Sequence, residues 1–354
     1  MKLPRLSLLL CLALQAAALG AQTAPHAFLL ALSKQDHTLA IVDPASLHIL
    51  ATVPVGDDPH EVVASADGKA AYVSNYGFGS FHTITPIDLV GRTQLPAIDL
   101  GALGGPHGLD FVDGKVWFTA EAAKAIGSID PATAKIDWIM GTGQDRTHMI
   151  YVFPGARRIL TTNVNSATLT ILDKTEGRAG GPPPGMPLGP PPGAGSMPPG
   201  PPPPPPGPDW HLTNLPTGQG GEGFDVSPDG KEAWVANARD GSVTIIDLAS
   251  KTVAANLEAH VSGANRLKFT PDGKTVLITA GSALVVIDPT TRKETRRLAA
   301  VHGSGGIQMQ PDGLRAYVAC GRDGYVSVVD LKTLEEVGRI PIAGPDGLAW
   351  AVAN

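Results

Sequence analysis

Short apolar runs alternate with turn-forming residues along the whole chain, and seven of these runs end in an aspartate. The intervals between successive aspartates are 45, 42, 43, 74, 41 and 42 residues. A period in the low forties built from strand-like runs is typical of a β-propeller, in which each repeat forms one four-stranded blade. The pattern predicts an all-β, seven-bladed propeller of antiparallel blades, with its repeats marked by Asp43, Asp88, Asp130, Asp173, Asp247, Asp288 and Asp330.

The turn signals also predict how the ring closes. Asp-Gly or Pro-Gly pairs, which suit tight turns, follow the first strand of six repeats. The seventh pair is missing where the chain starts and stops. Residues 27–30 resemble a second strand, and residues 345–350 resemble a first strand. We therefore predict that the C-terminal strand pairs with the N-terminal blade, which leaves no free sheet edge there. The strand-end aspartates are expected to cap turns through their side chains.

The fifth repeat shows the repeated motif in its fullest form. Residues 227–247 contain Ser-Pro-Asp-Gly-Lys, then Trp-Val-Ala-Asn, then Asp-Gly-Ser-Val-Thr-Ile-Ile-Asp, and residues 53–56 read Val-Pro-Val-Gly. This succession resembles the YVTN family of bacterial propeller proteins over nearly the whole chain after residue 20. The resemblance implies the fold. Similar propellers include lactone hydrolases, antibiotic lyases, copper enzymes and proteins without known catalysis, so it implies no single activity.

The first 20 residues predict a signal peptide. Lys2 and Arg5 precede an apolar stretch at residues 8–14, and small residues follow it. We expect residues 21–354 to form one propeller, monomeric, without a membrane span, in the periplasm or secreted. Without residues 1–20 the chain has 25 basic and 33 acidic residues. An acidic protein is not suited to neutralising phosphates, so nucleic acid is not an expected partner.

One proline- and glycine-rich tract accounts for the long interval. Residues 178–209 include an unbroken run of prolines at 201–206. Proline has no backbone N–H to donate, so this segment is predicted to be a disordered, extended insertion between the third and fourth strands of the fourth blade. Two interpretations remain open. The tract is either a tolerated loop expansion or an arm that binds a proline-recognising partner.

The candidate chemistry lies at one position in each repeat, at the start of the innermost strand. A closed ring would gather these positions at one mouth of the channel. Imidazole suits Cu, Zn, Ni or Fe, and carboxylate adds a harder donor. The candidate ligands of a divalent metal ion are therefore His60, His107, His148 and Glu222. The candidate ligand-binding residues are Asn265, Asp346 and Glu121.

Several functions are compatible with this set. The first is an exported module that binds a small ligand, a metal or a protein at the channel mouth. The second is a metal-dependent enzyme, such as a lactone hydrolase, a lyase or a copper-type oxidoreductase, in which the histidines hold the ion. The histidines could instead be structural, with hydrogen bonds between blades as their role. The sequence alone does not choose among these.

Overall fold

The computed structural model describes residues 26–175, 209–299 and 304–353. Within them the strands form seven antiparallel sheets, six with four strands and one, blade 2, with a short fifth strand. Blade 1 contains β1 (His26–Ser33), β2 (Thr38–Val42), β3 (Ile49–Pro54) and the C-terminal β29 (Pro345–Ala353). Blade 2 contains β4 (Pro59–Ala64), β5 (Ala70–Asn75), β6 (Thr83–Asp88), β7 (Thr93–Gln94) and the short β8 (Ile98–Asp99), which also pairs with β6. Blade 3 contains β9 (Pro106–Val112), β10 (Lys115–Ala120), β11 (Ala125–Asp130) and β12 (Lys135–Gly141).

The remaining blades repeat this order. Blade 4 contains β13 (Thr147–Val152), β14 (Arg158–Asn163), β15 (Thr168–Thr175) and β16 (Asp209–Pro216). Blade 5 contains β17 (Gly221–Val226), β18 (Glu232–Asn237), β19 (Val243–Asp247) and β20 (Thr252–Leu257). Blade 6 contains β21 (Ala264–Phe269), β22 (Val276–Ala280), β23 (Ala283–Asp288) and β24 (Lys293–Leu298). Blade 7 contains β25 (Ser304–Met309), β26 (Arg315–Cys320), β27 (Tyr325–Asp330) and β28 (Glu335–Pro341).

The two ends of the chain share blade 1, as the turn signals predicted. Strand β29 pairs antiparallel with β1, with Trp350 opposite Leu29 and Val352 opposite Ala27. The innermost strands of neighbouring blades contact one another all the way round the ring. The predicted seven-bladed propeller and its mode of closure are therefore confirmed.

The hydrophobic core lies between blades rather than within them. The buried apolar residues separate into seven clusters, and each cluster joins the facing sides of two adjacent blades. Between blades 5 and 6, for example, Trp234 packs edge-on against Phe269 with ring centroids 5.6 Å apart. One blade cannot bury both faces of its sheet alone, so closing the ring completes the core.

Six of the seven strand-end aspartates cap turns as predicted. Oδ1 of Asp247, for instance, accepts hydrogen bonds from the backbone N–H groups of Ala249 and Ser250. The prediction is wrong for Asp173, whose carboxylate pairs with Arg158 and Lys251. Strand β15 continues past this residue, so no tight turn follows that it could cap.

The proline-rich tract joins the third and fourth strands of blade 4. Residues 176–208, and the signal-peptide segment 1–20, lie outside the described residues. Asp209, the last residue of the predicted insertion, instead begins β16 and pairs with Thr175. The helices in the described ranges are two 3-10 turns, Gly77–Gly79 and Pro154–Ala156, and neither has the length or apolarity to cross a membrane.

Candidate functional site at the channel mouth

Three consecutive innermost strands each place a histidine at the same mouth of the channel. His60, His107 and His148 are the second residues of β4, β9 and β13. Their rings stand in a row. The centroids of His60 and His107 are 4.6 Å apart, and those of His107 and His148 are 3.9 Å apart. The closed ring thus brings together side chains that are more than forty residues apart in sequence.

Hydrogen bonds between blades fix the backbone of this row. The Ser74 hydroxyl of blade 2 donates to the carbonyl of His107 at 2.9 Å, and the Thr119 hydroxyl of blade 3 donates to the carbonyl of His148 at 2.7 Å. Gly108 permits the close approach of blades 3 and 4. A Cβ there would lie 2.5 Å from the carbonyl oxygen of His148. The sequence Pro-His-Gly therefore has a packing role beside any chemical one.

His148 lies between two carboxylates. Its Nδ1 donates a hydrogen bond to Oε1 of Glu121, which stands at the end of β10. Its Nε2 lies 2.7 Å from Oε2 of Glu222, close enough for an ion pair although not aligned as a hydrogen bond. Arg146 binds the far oxygen of Glu222 at 2.8 Å and also approaches Glu121 at 3.5 Å.

Tyr76 closes the side of the site between blades 2 and 3. Its hydroxyl donates to Oε2 of Glu121 at 2.5 Å. Its ring meets the rings of His60 and His107 edge-on, with centroids 4.8 and 5.1 Å away. The carboxylate of Glu121 is therefore held from both sides, by Tyr76 and by His148.

His60, at the other end of the row, belongs to a second charged group. Nζ of Lys34 donates to Nε2 of His60 at 2.6 Å, and Nδ1 of His60 lies 3.0 Å from Oδ2 of Asp346. Lys34 also pairs with Asp58 at 2.8 Å and with Asp346 at 3.5 Å. Both nitrogens of His60 thus have charged neighbours already.

Burial and neighbouring charges shift the pKa values of His107 and His148 in opposite directions. Burial lowers the pKa of His107 well below its usual value, and the positive charges of His148 and Arg146 lower it further. Burial also opposes charge on His148, but the carboxylates of Glu222 and Glu121 outweigh it and raise the pKa of His148 to about 9. Burial would raise the pKa of Glu222, but its contact with the protonated His148 outweighs burial and lowers that pKa to about 2. His107 is therefore neutral at neutral pH, whereas His148 is protonated.

His107, Glu121 and His148 form the part of the site best arranged to hold a metal ion. All three are buried, and one donor atom from each lies within 4.8 Å of the others. Nδ1 of His107 is buried and has no hydrogen-bond partner among the described residues. Donors this close can surround one ion at bond lengths of about 2 Å after small side-chain rotations.

The remaining sequence candidates lie farther from this group. Asn265 accepts a hydrogen bond from its neighbour Arg266 at 2.9 Å. Asp346 belongs to the group around His60. Three charged residues of the site were not predicted from the sequence, namely Lys34, Asp58 and Arg146, because only the strand starts were aligned. Lys34 directly follows the second strand of its blade, as Glu121 does, and Asp58 and Arg146 both lie two residues before a mouth histidine. These two equivalent positions were the available signal.

A groove lies beside the histidines on the same face, over blades 6, 7 and 1. It encloses about 760 Å³. Much of its wall is exposed backbone at glycines, including Gly263, Gly281 and Gly344, which all have positive φ. Lys34 and Arg322 contribute positive charge, and Asp346 connects the groove to the histidine row.

Comparisons with solved structures agree on the fold. A protein of unknown function from Desulfotomaculum acetoxidans aligns with a TM-score of 0.70 at 13% identity, covering 92% of this chain and 99% of that one. A putative 6-phosphogluconolactonase from Bacteroides uniformis gives 0.68 at 13%, covering 93% and 100%. Hydrazine synthase from Kuenenia stuttgartiensis gives 0.64 at 15%, covering 84% and 90%.

These likenesses extend to the propeller fold alone, because the identities are low. No protein-family model matches the chain, and no curated protein matches it. The resemblance to the YVTN family therefore stays a prediction.

Proposed function

We propose that this protein is an exported propeller that binds a divalent transition-metal ion at the channel mouth through His107, His148 and Glu121. The observation that carries the proposal is the buried Nδ1 of His107, which lacks a protein partner beside a second imidazole and a carboxylate. A buried polar atom without a hydrogen bond is costly, and a bound ion would satisfy it.

The donor set favours a particular class of metal. Two imidazoles and one carboxylate suit Zn, Fe, Ni or Cu, whereas Ca and Mg prefer sites made of oxygen donors. The pKa of His107 lies well below its usual value, so its imidazole is neutral and can donate a lone pair. Two histidines and one carboxylate would leave further coordination positions for water or a ligand from the open mouth.

The other candidate residues take supporting positions in this proposal. Glu222 pairs with Nε2 of His148 and would hold that ring in place while Nδ1 releases its proton and binds the ion. His60 stacks beside His107 but already has Lys34 and Asp346 at its nitrogens. We therefore assign His60 to the wall of the site rather than to the ion.

The test is metal analysis of the protein without a histidine tag. The protein is stripped with chelator and titrated separately with Zn, Ni, Cu and Fe(II). We expect one equivalent to bind. His107→Ala and Glu121→Gln should each weaken binding by at least about 100-fold, and Glu222→Gln by about 10- to 100-fold, as is usual for a residue that orients a ligand.

The controls separate this site from nonspecific histidine binding. His82 is exposed and pairs with Asp99, so His82→Ala should leave the affinity unchanged. Far-ultraviolet circular dichroism checks that each variant is folded. Failure of all four metals to bind stoichiometrically, or equal binding by His107→Ala and the unaltered protein, would leave the histidines with a structural role only.

A metal-dependent enzyme is the second candidate function, and the glycine-lined groove favours it. Its volume of about 760 Å³ suits a small substrate, and it adjoins the histidine row at Asp346. The metal-loaded and chelated proteins can be compared on a simple lactone such as dihydrocoumarin. Hydrolysis that needs the metal and is lost in His107→Ala would support an enzyme. Equal rates with and without metal would count against it.

A further inference from the structure

The central channel is divided into two parts by a buried ion pair. Glu61 of blade 2 and Arg266 of blade 6 follow the mouth positions His60 and Asn265, and their side chains meet across the channel. At the same level four other blades carry Gly108, Gly223, Gly306 and Gly347, which contribute no side chain. The pair thus separates the histidine mouth from a chamber that opens on the opposite face.

This lower chamber encloses about 320 Å³. Its walls include residues that lie two positions beyond the level of the ion pair on their innermost strands, namely Asp110, Tyr151, Lys268 and Gln308. Aromatic rings of Phe111 and Trp350 complete the lining, and Glu61 and Arg266 form its roof. The chamber therefore combines apolar surface with a few polar groups, as small-molecule sites do.

The charged groups in the chamber lining and directly beside it do not balance. Glu61 is matched by Arg266, and the lining residue Lys268 is matched at 3.5 Å by Asp225, which is not itself a lining residue. Asp110 has no cationic partner among the described residues. Its carboxylate accepts backbone hydrogen bonds from Val152 and Phe111, both at 2.8 Å. One negative charge is therefore left over in a partly enclosed space.

Two further observations agree with this count. Burial raises the pKa of Asp110 to about 6, as expected for a carboxylate without a neighbouring cation in contact. The hydroxyl of Tyr151 makes no hydrogen bond to any described residue, and the chamber lining includes three aromatic residues, Tyr151, Phe111 and Trp350, the residue type that attracts organic cations.

We propose that the lower chamber binds a small organic cation, a primary amine with an aromatic or apolar body, whose ammonium group pairs with Asp110. The apolar body would lie against the rings of Tyr151, Phe111 and Trp350. This site is separate from the histidine mouth, and the inference does not depend on metal binding there.

Three ligands of similar size but different charge test the proposal. Phenethylamine, phenethyl alcohol and phenylacetate differ mainly in a positive, neutral or negative head group. Isothermal titration at pH 8 and low salt should give the tightest binding for the amine, with a Kd of about 1 mM or below, and the weakest for the acid. Equal affinity across the series, tightest binding of the acid, or no detectable amine binding would each overturn the proposal.

Two variants should move amine affinity in opposite directions. Asp110→Asn removes the unmatched charge and should weaken amine binding about tenfold while leaving the alcohol unchanged. Lys268→Met leaves Asp225 unmatched and should strengthen amine binding several-fold, so the proposal stays testable if Asp110→Asn folds poorly. His82→Ala, at an exposed residue of neither site, should change neither value. An unchanged amine affinity in Lys268→Met would contradict the charge argument.

Discussion

Breaking the ion pair across the channel should be among the most damaging single changes to this fold. Glu61 and Arg266 have side chains only 12% and 6% exposed, and they connect blades 2 and 6. In Glu61→Gln the guanidinium of Arg266 stays buried without its counter-ion. It keeps its hydrogen bonds to the carbonyl and side-chain oxygens of Asn265, both at 2.9 Å.

The loss of folding stability can be estimated from the buried charge of Arg266 that loses its partner. Two unit charges about 4 Å apart interact by about 4 kcal/mol at an effective dielectric constant of about 20. Removing one partner of a buried pair costs about 3–5 kcal/mol. Because Asn265 still binds Arg266, we expect the lower end, about 3 kcal/mol. Burial lowers the pKa of Arg266 and the carboxylate of Asp346 only partly offsets it, as expected for a site that disfavours a cation.

The assay is urea unfolding followed by circular dichroism and tryptophan fluorescence. The double variant Glu61→Met, Arg266→Leu serves as the matched comparison. Replacing both charges with apolar residues of similar size leaves no unpaired charge, so it should restore most of the lost stability. A cost below about 1 kcal/mol for Glu61→Gln, or a double variant as unstable as the single one, would refute this account of the pair.

Three further predictions follow from other parts of the ring. Gly108→Ala should destabilise the fold by about 1–3 kcal/mol, because its Cβ would lie 2.5 Å from the carbonyl of His148, whereas Gly141→Ala, with nothing within 4 Å of its added Cβ, should not. In the metal-free protein, stability should fall as the pH rises from 6.5 to about 9. The raised pKa of His148 stabilises the fold below its unfolded-state value, and this stabilisation, about 3 kcal/mol, is lost as the folded group deprotonates. A flat stability profile between those pH values, or the same decline in His148→Gln, would contradict this. Replacing residues 176–208 with Asn-Gly should leave both folding and zinc affinity unchanged, because Thr175 and Asp209 already pair as hairpin neighbours; loss of either in a thermal melt or zinc titration would show that the tract contributes.

The sequence was sufficient for the architecture because a propeller is specified locally. Each repeat has its own turn signals and strand pattern, so the period revealed the blades, and the incomplete first and last repeats revealed the closure. The aspartate prediction failed only at Asp173, where the strand runs on into the insertion and the local turn is absent. Local patterns predict local structure and fail where an insertion changes the local chain path.

Only those site residues that occupy the aligned position at the start of the innermost strands could be predicted from the sequence. Alignment of the strand starts identified the three histidines and Glu222, which the ring places at one mouth. It could not tell which side chains would meet, because that depends on rotamers and on which residue each repeat carries in the adjoining loops. Arg146 and Lys34 come from such loops. Arg146 forms an ion pair with Glu222, and Lys34 donates a hydrogen bond to His60.

The periodic sequence by itself determined the number of blades, the closure of the ring and the face on which the histidines lie. Only the tertiary structure showed that a donor atom of Glu121, rather than one of His60, groups with donor atoms of His107 and His148, and only it revealed the ion pair that divides the channel. The physical reason is that backbone pairing repeats every blade, whereas contacts across the axis join residues from different blades. No local pattern encodes such contacts.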